Sequence, residues 1–168
     1  YPPGSTFKIV TALAALKANI IRPKDNFSCD GKMEISNRLF HCWKKGGHGE
    51  MDLAKSLSES CDVYFYELAL KVGIERINEM AIQLGLGIQH EIPMSAITKG
   101  LVPSREWKLK NREQDWLVGD TVNASIGQGY VLSSPLQLAV MAARLASGRN
   151  VKPLLTKSIN GQNVYDGK

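Results

Sequence analysis

Ser5-Thr6-Phe7-Lys8 sets a hydroxyl and an amine three residues apart at the start of an apolar stretch. On a helix, side chains at i and i+3 share a face. A serine becomes a useful nucleophile once a neighbour takes its proton, and a lysine does so only if its environment leaves it neutral. Desolvation among Phe7, Ile9 and Val10, together with the positive end of the helix dipole, pushes Lys8 that way. Gly4 leaves room in front of Ser5, whose amide is placed to donate to a developing oxyanion. Taken alone, such a motif more often means only a helix cap at Ser5 and a solvated first-turn Lys8.

Ser60-Cys61-Asp62 offers a second hydroxyl to relay a proton and bond a partner such as Lys8, with Asp62 to orient that group. As isolated residues they are also ordinary polar positions of an amphipathic helix.

Three cysteines form an odd set in which any internal disulfide leaves one thiol over. Cys29, Cys42, His48 and Cys61 follow the order C-x12-C-x5-H-x12-C. Three thiolates and one imidazole make a closed tetrahedral set for structural zinc. With no close C-x2-C pair, three outcomes stay open: zinc, a disulfide plus a free thiol, or buried reduced cysteines. Gly46-Gly47-His48-Gly49 has little apolar content, so a metal crosslink would help hold it against the element bearing Cys61. Asp30 is a substitute ligand, while His41 and His90 read as ordinary polar residues.

These residues need a scaffold, and the periodicity predicts a mostly helical one. Pro2-Pro3-Gly4-Ser5 predicts a helix from about Thr6, with Ser5 as its cap and Ile9, Val10, Leu13, Leu16 and Ile20 along it. Residues 22–49 predict loops and a small hairpin built from 32–35 and 38–43. Leu53, Leu57, Cys61, Tyr64 and Leu68 predict a second long helix, carrying Ser60 and ending at Gly73. A third helix is expected over 74–84 and a shorter, exposed fourth over 104–117. A fifth starts at Ser134-Pro135 and stops at Gly148. Residues 154–159 predict one strand with nothing to pair against.

The 168 residues fit one domain or a piece of one. Twenty-one Lys and Arg against sixteen Asp and Glu give +5, yet the basic residues are spread along the chain. The densest run, 105–112, is interleaved and followed by acids and predicts a solvated face, so nucleic acid is not expected as a partner. The longest apolar stretch, 9–21, contains Lys17 and is too short to cross a bilayer. The opening Tyr1 predicts that this stretch begins inside a longer protein or after processing.

With S-x-x-K at Ser5 and Lys8 and S-x-D at Ser60 and Asp62, the chain resembles the penicillin-binding transpeptidases, and specifically the class B, elongation-type branch. Further blocks carry the likeness: Cys42-Trp43-Lys44-Lys45-Gly46-Gly47-His48-Gly49, Ser60-Cys61-Asp62-Val63-Tyr64-Phe65-Tyr66 and Ala124-Ser125-Ile126-Gly127-Gln128-Gly129-Tyr130. The resemblance implies a mainly α fragment, the helical lobe of the α/β penicillin-binding transpeptidase and serine β-lactamase-like fold, with 1–168 a partial transpeptidase domain. It implies that Ser5 is acylated by a peptidoglycan stem peptide or a β-lactam, with Lys8 as base and Ser60 passing a proton to the leaving group. Whether Lys8 acts directly or through another group stays open, as does the role of Asp62 where the family often has Asn.

The resemblance also implies a membrane anchor outside this stretch, a catalytic domain on the periplasmic side of the inner membrane, and partnership with a glycan polymerase of the elongation machinery. It adds a reason for structural zinc, which some elongation-type members hold at equivalent places with a mixed Asp, His and Cys set. No Lys-Thr-Gly or Lys-Ser-Gly triplet follows, and Gly167-Lys168 is the last pair. The family's third motif is therefore missing, and this stretch is not expected to react alone. A serine β-lactamase would share Ser5 and Lys8 but needs a deacylation base, for which Glu91 and Glu106 lack context. A penicillin-sensing receptor domain and a zinc-stapled scaffold are the remaining alternatives.

Overall fold

A computed structural model describes residues 1–95 and 97–164. Gly4–Phe7 forms a 3-10 turn that runs straight into α1 (Lys8–Lys17). The chain then makes β1 (Phe27–Cys29), β2 (Lys32–Ile35), β3 (Arg38–His41) and β4 (Gly49–Met51), followed by α2 (Leu53–Ser58), α3 (Asp62–Val72) and α4 (Ile74–Gln83). After a long loop come α5 (Arg105–Arg112), α6 (Val118–Ser125) and α7 (Pro135–Ser147). A short hairpin of β5 (Ser158–Ile159) and β6 (Gln162–Asn163) closes the described part.

The centre is helical. α1 packs against α3 and α4, and α3 packs in turn against α6. Phe7, Val10, Ala15, Cys61, Tyr64, Phe65, Leu68 and Ile77 are sealed from solvent between them. The alanines of α1 let its neighbours approach on several sides, as its composition predicts. Gly73 ends α3 with φ +80°, and Ile74 starts α4 at once. Ser134 and Gln137 form a reciprocal capping box around Pro135 at the start of α7, and Gly148 closes that helix in the left-handed conformation.

Several expectations need correction. Pro3, not Ser5, stands at the cap position, with no side-chain bond to the helix; the turn begins at Gly4 as a 3-10 segment, so the Ser5 hydroxyl faces outward. The second long helix is two helices, because the chain breaks at 59–61. The expected fourth helix stops at Arg112 with Glu113 at φ +54°, and α6 is a separate helix that local pattern had not indicated. The basic run is not wholly solvated: Lys108 is 2% exposed and bonds Asp120 Oδ2 at 2.6 Å. The expected strand at 154–159 shortens to two residues and does find a partner, turning at Asn160-Gly161.

The β2–β3 hairpin matches its prediction, with Lys32 opposite His41 and Ile35 opposite Arg38. A pairing of β1 with β4, Cys29 opposite Gly49, was not foreseen. Gly167-Lys168, the pair noted at the end of the sequence, lies outside the described residues.

Candidate active site

The break between α2 and α3 builds the site. Cys61 N–H donates to Ser56 O at 2.9 Å and Ser60 N–H to Leu57 O at 3.3 Å, the paired bonds of a Schellman ending with Ser60 in the left-handed position, φ +52°. Glycine normally occupies that position, since a side chain there costs about 1 kcal/mol. Strain of this kind persists where the surroundings over-determine it. Here they do: Lys8 Nζ donates to Ser60 O at 2.8 Å, to Ser60 Oγ at 2.9 Å and to Asp62 Oδ1 at 2.6 Å. Asp62 opens α3, where an acid also suits the helix dipole.

The structure brings the four predicted residues together across more than fifty positions of sequence. Ser60 Oγ donates to Ser5 Oγ at 2.9 Å, giving the line Lys8 Nζ, Ser60 Oγ, Ser5 Oγ. Among the described residues the partners of Lys8 Nζ are those three acceptors, so its link to Ser5 runs through Ser60 rather than directly. Three acceptors match the three N–H donors of an ammonium. Lys8 is 1% exposed and Asp62 14%, while Ser5 is open to solvent. The Lys8 ammonium also lies 5.7 Å from the centre of the Phe65 ring. Burial first, and then the Asp62 charge, pushes the Tyr66 phenol well above its ordinary range; it stays a neutral donor to His41 O at 3.2 Å.

Ser5 is seated from behind by the turn after α6. Gly4 N–H donates to Gly127 O at 3.1 Å, and Thr11 Oγ1 donates to Ser125 O at 2.9 Å inside the core. Gly127 has φ +69°, and a Cβ built there would lie 2.8 Å from Gly4 N and from Phe7 Cβ, and closer still to Gly4 O. Only a glycine lets this turn press so closely on the serine's neighbour. Lys108 and Arg112 both lie 5.9 Å from the Tyr130 ring, tying α5 to the same turn.

Beside this site the three thiols and His48 converge. The ligand atoms of Cys29, Cys42, His48 and Cys61 all lie within 4.8 Å of one another, and the three thiols are free of disulfides and buried. Gly47, φ +76°, makes this closure feasible: a Cβ there would run into the backbone of Cys29 and Asp30. His48 Nδ1 stands 3.6 Å from Cys29 Sγ and 3.5 Å from Cys42 Sγ. A tetrahedral zinc with ordinary Zn–S and Zn–N bonds separates sulfur from nitrogen by about 3.5 Å, so the donor set fits that ion in chemistry and spacing. Burial pushes the Cys61 thiol up to about 12, against the pull of the Tyr64 amide and with further upward pushes from Cys29 and Cys42. A divalent cation reverses that preference, because a coordinated thiol loses its proton. Asp30 is exposed and outside the cluster; His41 is exposed, and His90 Nε2 bonds Gly85 O at 2.9 Å.

Two residues beyond the predicted set matter here. Trp43 N–H donates to Asp62 Oδ2 at 3.0 Å, and its indole N–H donates to both Glu59 O and Ser60 O at 3.1 Å. Lys108 is the other. The block Cys42-Trp43 singled out this stretch in the sequence, but neither role has a local signal.

Comparison with known proteins agrees with this geometry. The family model described as "Penicillin binding protein transpeptidase domain" matches residues 1–168. Peptidoglycan D,D-transpeptidase MrdA of Haemophilus influenzae is 39% identical over 164 residues, covering 96% of this chain and 25% of that protein. The crystal structure of Pseudomonas aeruginosa PBP2 in complex with WCK 5153 superposes with a TM-score of 0.90 at 39% identity, over 100% of this chain and 39% of that one. The complex of PBP2 and MreC from Helicobacter pylori gives a TM-score of 0.90 at 36% identity, over 97% of this chain and 30% of that one. The chain thus spans about a quarter of the length of the curated relatives it matches.

Proposed function

Because the chain belongs to the penicillin-binding protein transpeptidase domain family, we propose that it carries the nucleophile and proton relay of a peptidoglycan D,D-transpeptidase that crosslinks stem peptides and is acylated by β-lactams. The observation that carries this reading is the continuous line from Lys8 Nζ through Ser60 Oγ to Ser5 Oγ. Ser5 Oγ attacks the penultimate D-Ala carbonyl, and its proton leaves through Ser60, which turns from donor to acceptor as the bond forms. Lys8 accepts that proton only after releasing one, and Asp62 Oδ1 at 2.6 Å is the adjacent acceptor. The same relay returns the proton to the departing D-Ala amine, leaving an acyl-serine for an incoming stem-peptide amine to resolve. The Ser5 and Thr6 N–H groups, at the start of the first turn, favour negative charge near Ser5.

The cluster of Cys29, Cys42, His48 and Cys61 is proposed to hold a structural zinc, which would supply a crosslink and no reaction step. Stem peptides and β-lactams are the proposed ligands. A glycan polymerase of the elongation machinery is the proposed partner, in keeping with a relative solved as a "peptidoglycan synthase complex". Among the described residues no helix is long and apolar enough to cross a membrane; a periplasmic site with an anchor elsewhere in the polypeptide is part of the same proposal.

The test is labelling of the complete polypeptide by a fluorescent penicillin. Stable labelling lost in Ser5→Ala, with crosslinked dimer formed from stem peptides, is expected. Rapid hydrolysis of the penicillin would instead mark a β-lactamase, and labelling that survives Ser5→Ala would overturn the reading.

A further inference from the structure

We infer that Trp43 is a positioning residue for acylation, the strut that holds the Ser60 hydroxyl and the Asp62 carboxylate in register with Lys8 and couples them to the thiol cluster. This inference rests on the transpeptidase reading above and assigns a role to a residue outside its relay. Trp43 is 64% exposed, so little core depends on it, yet both of its N–H donors are used. The backbone N–H holds Asp62 Oδ2 at 3.0 Å while Lys8 holds Oδ1 at 2.6 Å, which fixes the carboxylate plane from both ends. The indole N–H is shared between Glu59 O and Ser60 O at 3.1 Å each, the two carbonyls on either side of the left-handed turn. Ser60 O also receives Lys8 Nζ at 2.8 Å. Two donors on one carbonyl hold that peptide plane, and with it the direction in which Ser60 Oγ projects toward Ser5.

The other edge of the ring faces the thiol cluster. Trp43 and His48 meet edge to face, with centroids 5.4 Å apart and planes at 68°, and Cys42 is the preceding residue. A rotation of the β3–β4 connection therefore reaches Ser60 through one side chain. The strained, non-glycine turn at Ser60 is the element such a strut would need to hold, because strain of this kind persists only where the surroundings over-determine it.

The test compares Trp43→Phe with wild type in the complete polypeptide. Phenylalanine keeps an aromatic ring and the backbone N–H while removing the indole donor along with part of the ring system, and the parallel melting measurement reads any loss of packing. The pre-covalent dissociation constant and the first-order acylation rate are separated by stopped-flow with a chromogenic cephalosporin, and the melting temperature is measured in parallel. The inference expects the acylation rate to fall about tenfold, the equivalent of about 1.4 kcal/mol, with the dissociation constant and melting temperature unchanged. An unchanged acylation rate overturns it. A weaker dissociation constant at unchanged rate also overturns it, assigning Trp43 to the wall of the cleft. A rate loss matched by a lower melting temperature overturns it in favour of a purely structural role. Wild-type protein that is not acylated at Ser5 would sink the transpeptidase reading itself, a result distinct from all three.

Discussion

Replacing Gly127 by alanine probes how closely the turn after α6 seats Ser5, the proposed nucleophile. The new Cβ would sit 2.8 Å from Gly4 N and Phe7 Cβ, where ordinary contact begins at 3.4 Å. Something must therefore move by about 0.6 Å or more, and the obstructing atoms are backbone on one side and the core-facing Phe7 on the other. The left-handed backbone at φ +69° adds about 1–2 kcal/mol of strain, and overpacking adds about 1–3 kcal/mol. Gly4 precedes Ser5 directly, and a displacement near 1 Å at a reacting group costs about a hundredfold in rate. The expected result is acylation by penicillin slowed about 10- to 100-fold, with a melting temperature lower by several degrees. Gly148→Ala is the control: φ is +65° there too, but a Cβ would meet nothing within 4 Å. It should lose the same strain of about 1–2 kcal/mol and acylate normally. Equal acylation by the two variants would refute the reasoning, since strain alone would then explain Gly127.

Cys61→Ser should lower the melting temperature and the acylation rate together, because Cys61 is fully buried in the thiol cluster and adjoins both Ser60 and Asp62; full activity at wild-type stability would contradict this. Elemental analysis should find about one zinc per chain, with the three thiols titratable only after chelation, whereas metal-free protein with three unreactive thiols would leave a reduced cluster. Lys108→Met strands Asp120, whose Oδ2 also accepts Leu117 N–H at 2.8 Å. Losing one partner of a buried pair costs about 3–5 kcal/mol, reduced here because Asp120 is 16% exposed; urea unfolding that shows no loss would refute the assigned role.

Much of the scaffold was legible because its signals are local. Periodicity and punctuation located α1, α4 and α7, the stops at Gly73 and Gly148, and the β2–β3 hairpin, each needing no information from beyond about a dozen residues. The break at 59–61 was hidden because Leu53, Leu57, Cys61, Tyr64 and Leu68 continue the apolar stripe across it. Asp62 beside Cys61 was the available hint, an acid where a new helix could begin. Lys108 read as surface because its partner lies across a loop, on a helix whose own pattern was too weak to call attention to it.

By itself the sequence determined the chemistry on offer: a hydroxyl and an amine at i and i+3, a second hydroxyl with a carboxylate, and three thiols with an imidazole. Only the tertiary structure decided how they are wired. Lys8 reaches Ser5 through Ser60, Asp62 pairs with Lys8, Trp43 links Ser60 to the thiol cluster, and Gly127 backs the turn that carries Ser5. The links of Lys8 to Ser60 and Asp62, of Trp43 to Ser60 and of Gly127 to Gly4 join positions far apart in the chain, and they depend on directions set by packing: the left-handed turn at Ser60, the close backbones at Gly47 and Gly127. Side-chain spacing along one helix cannot encode those directions, because they exist only once separate elements are pressed together.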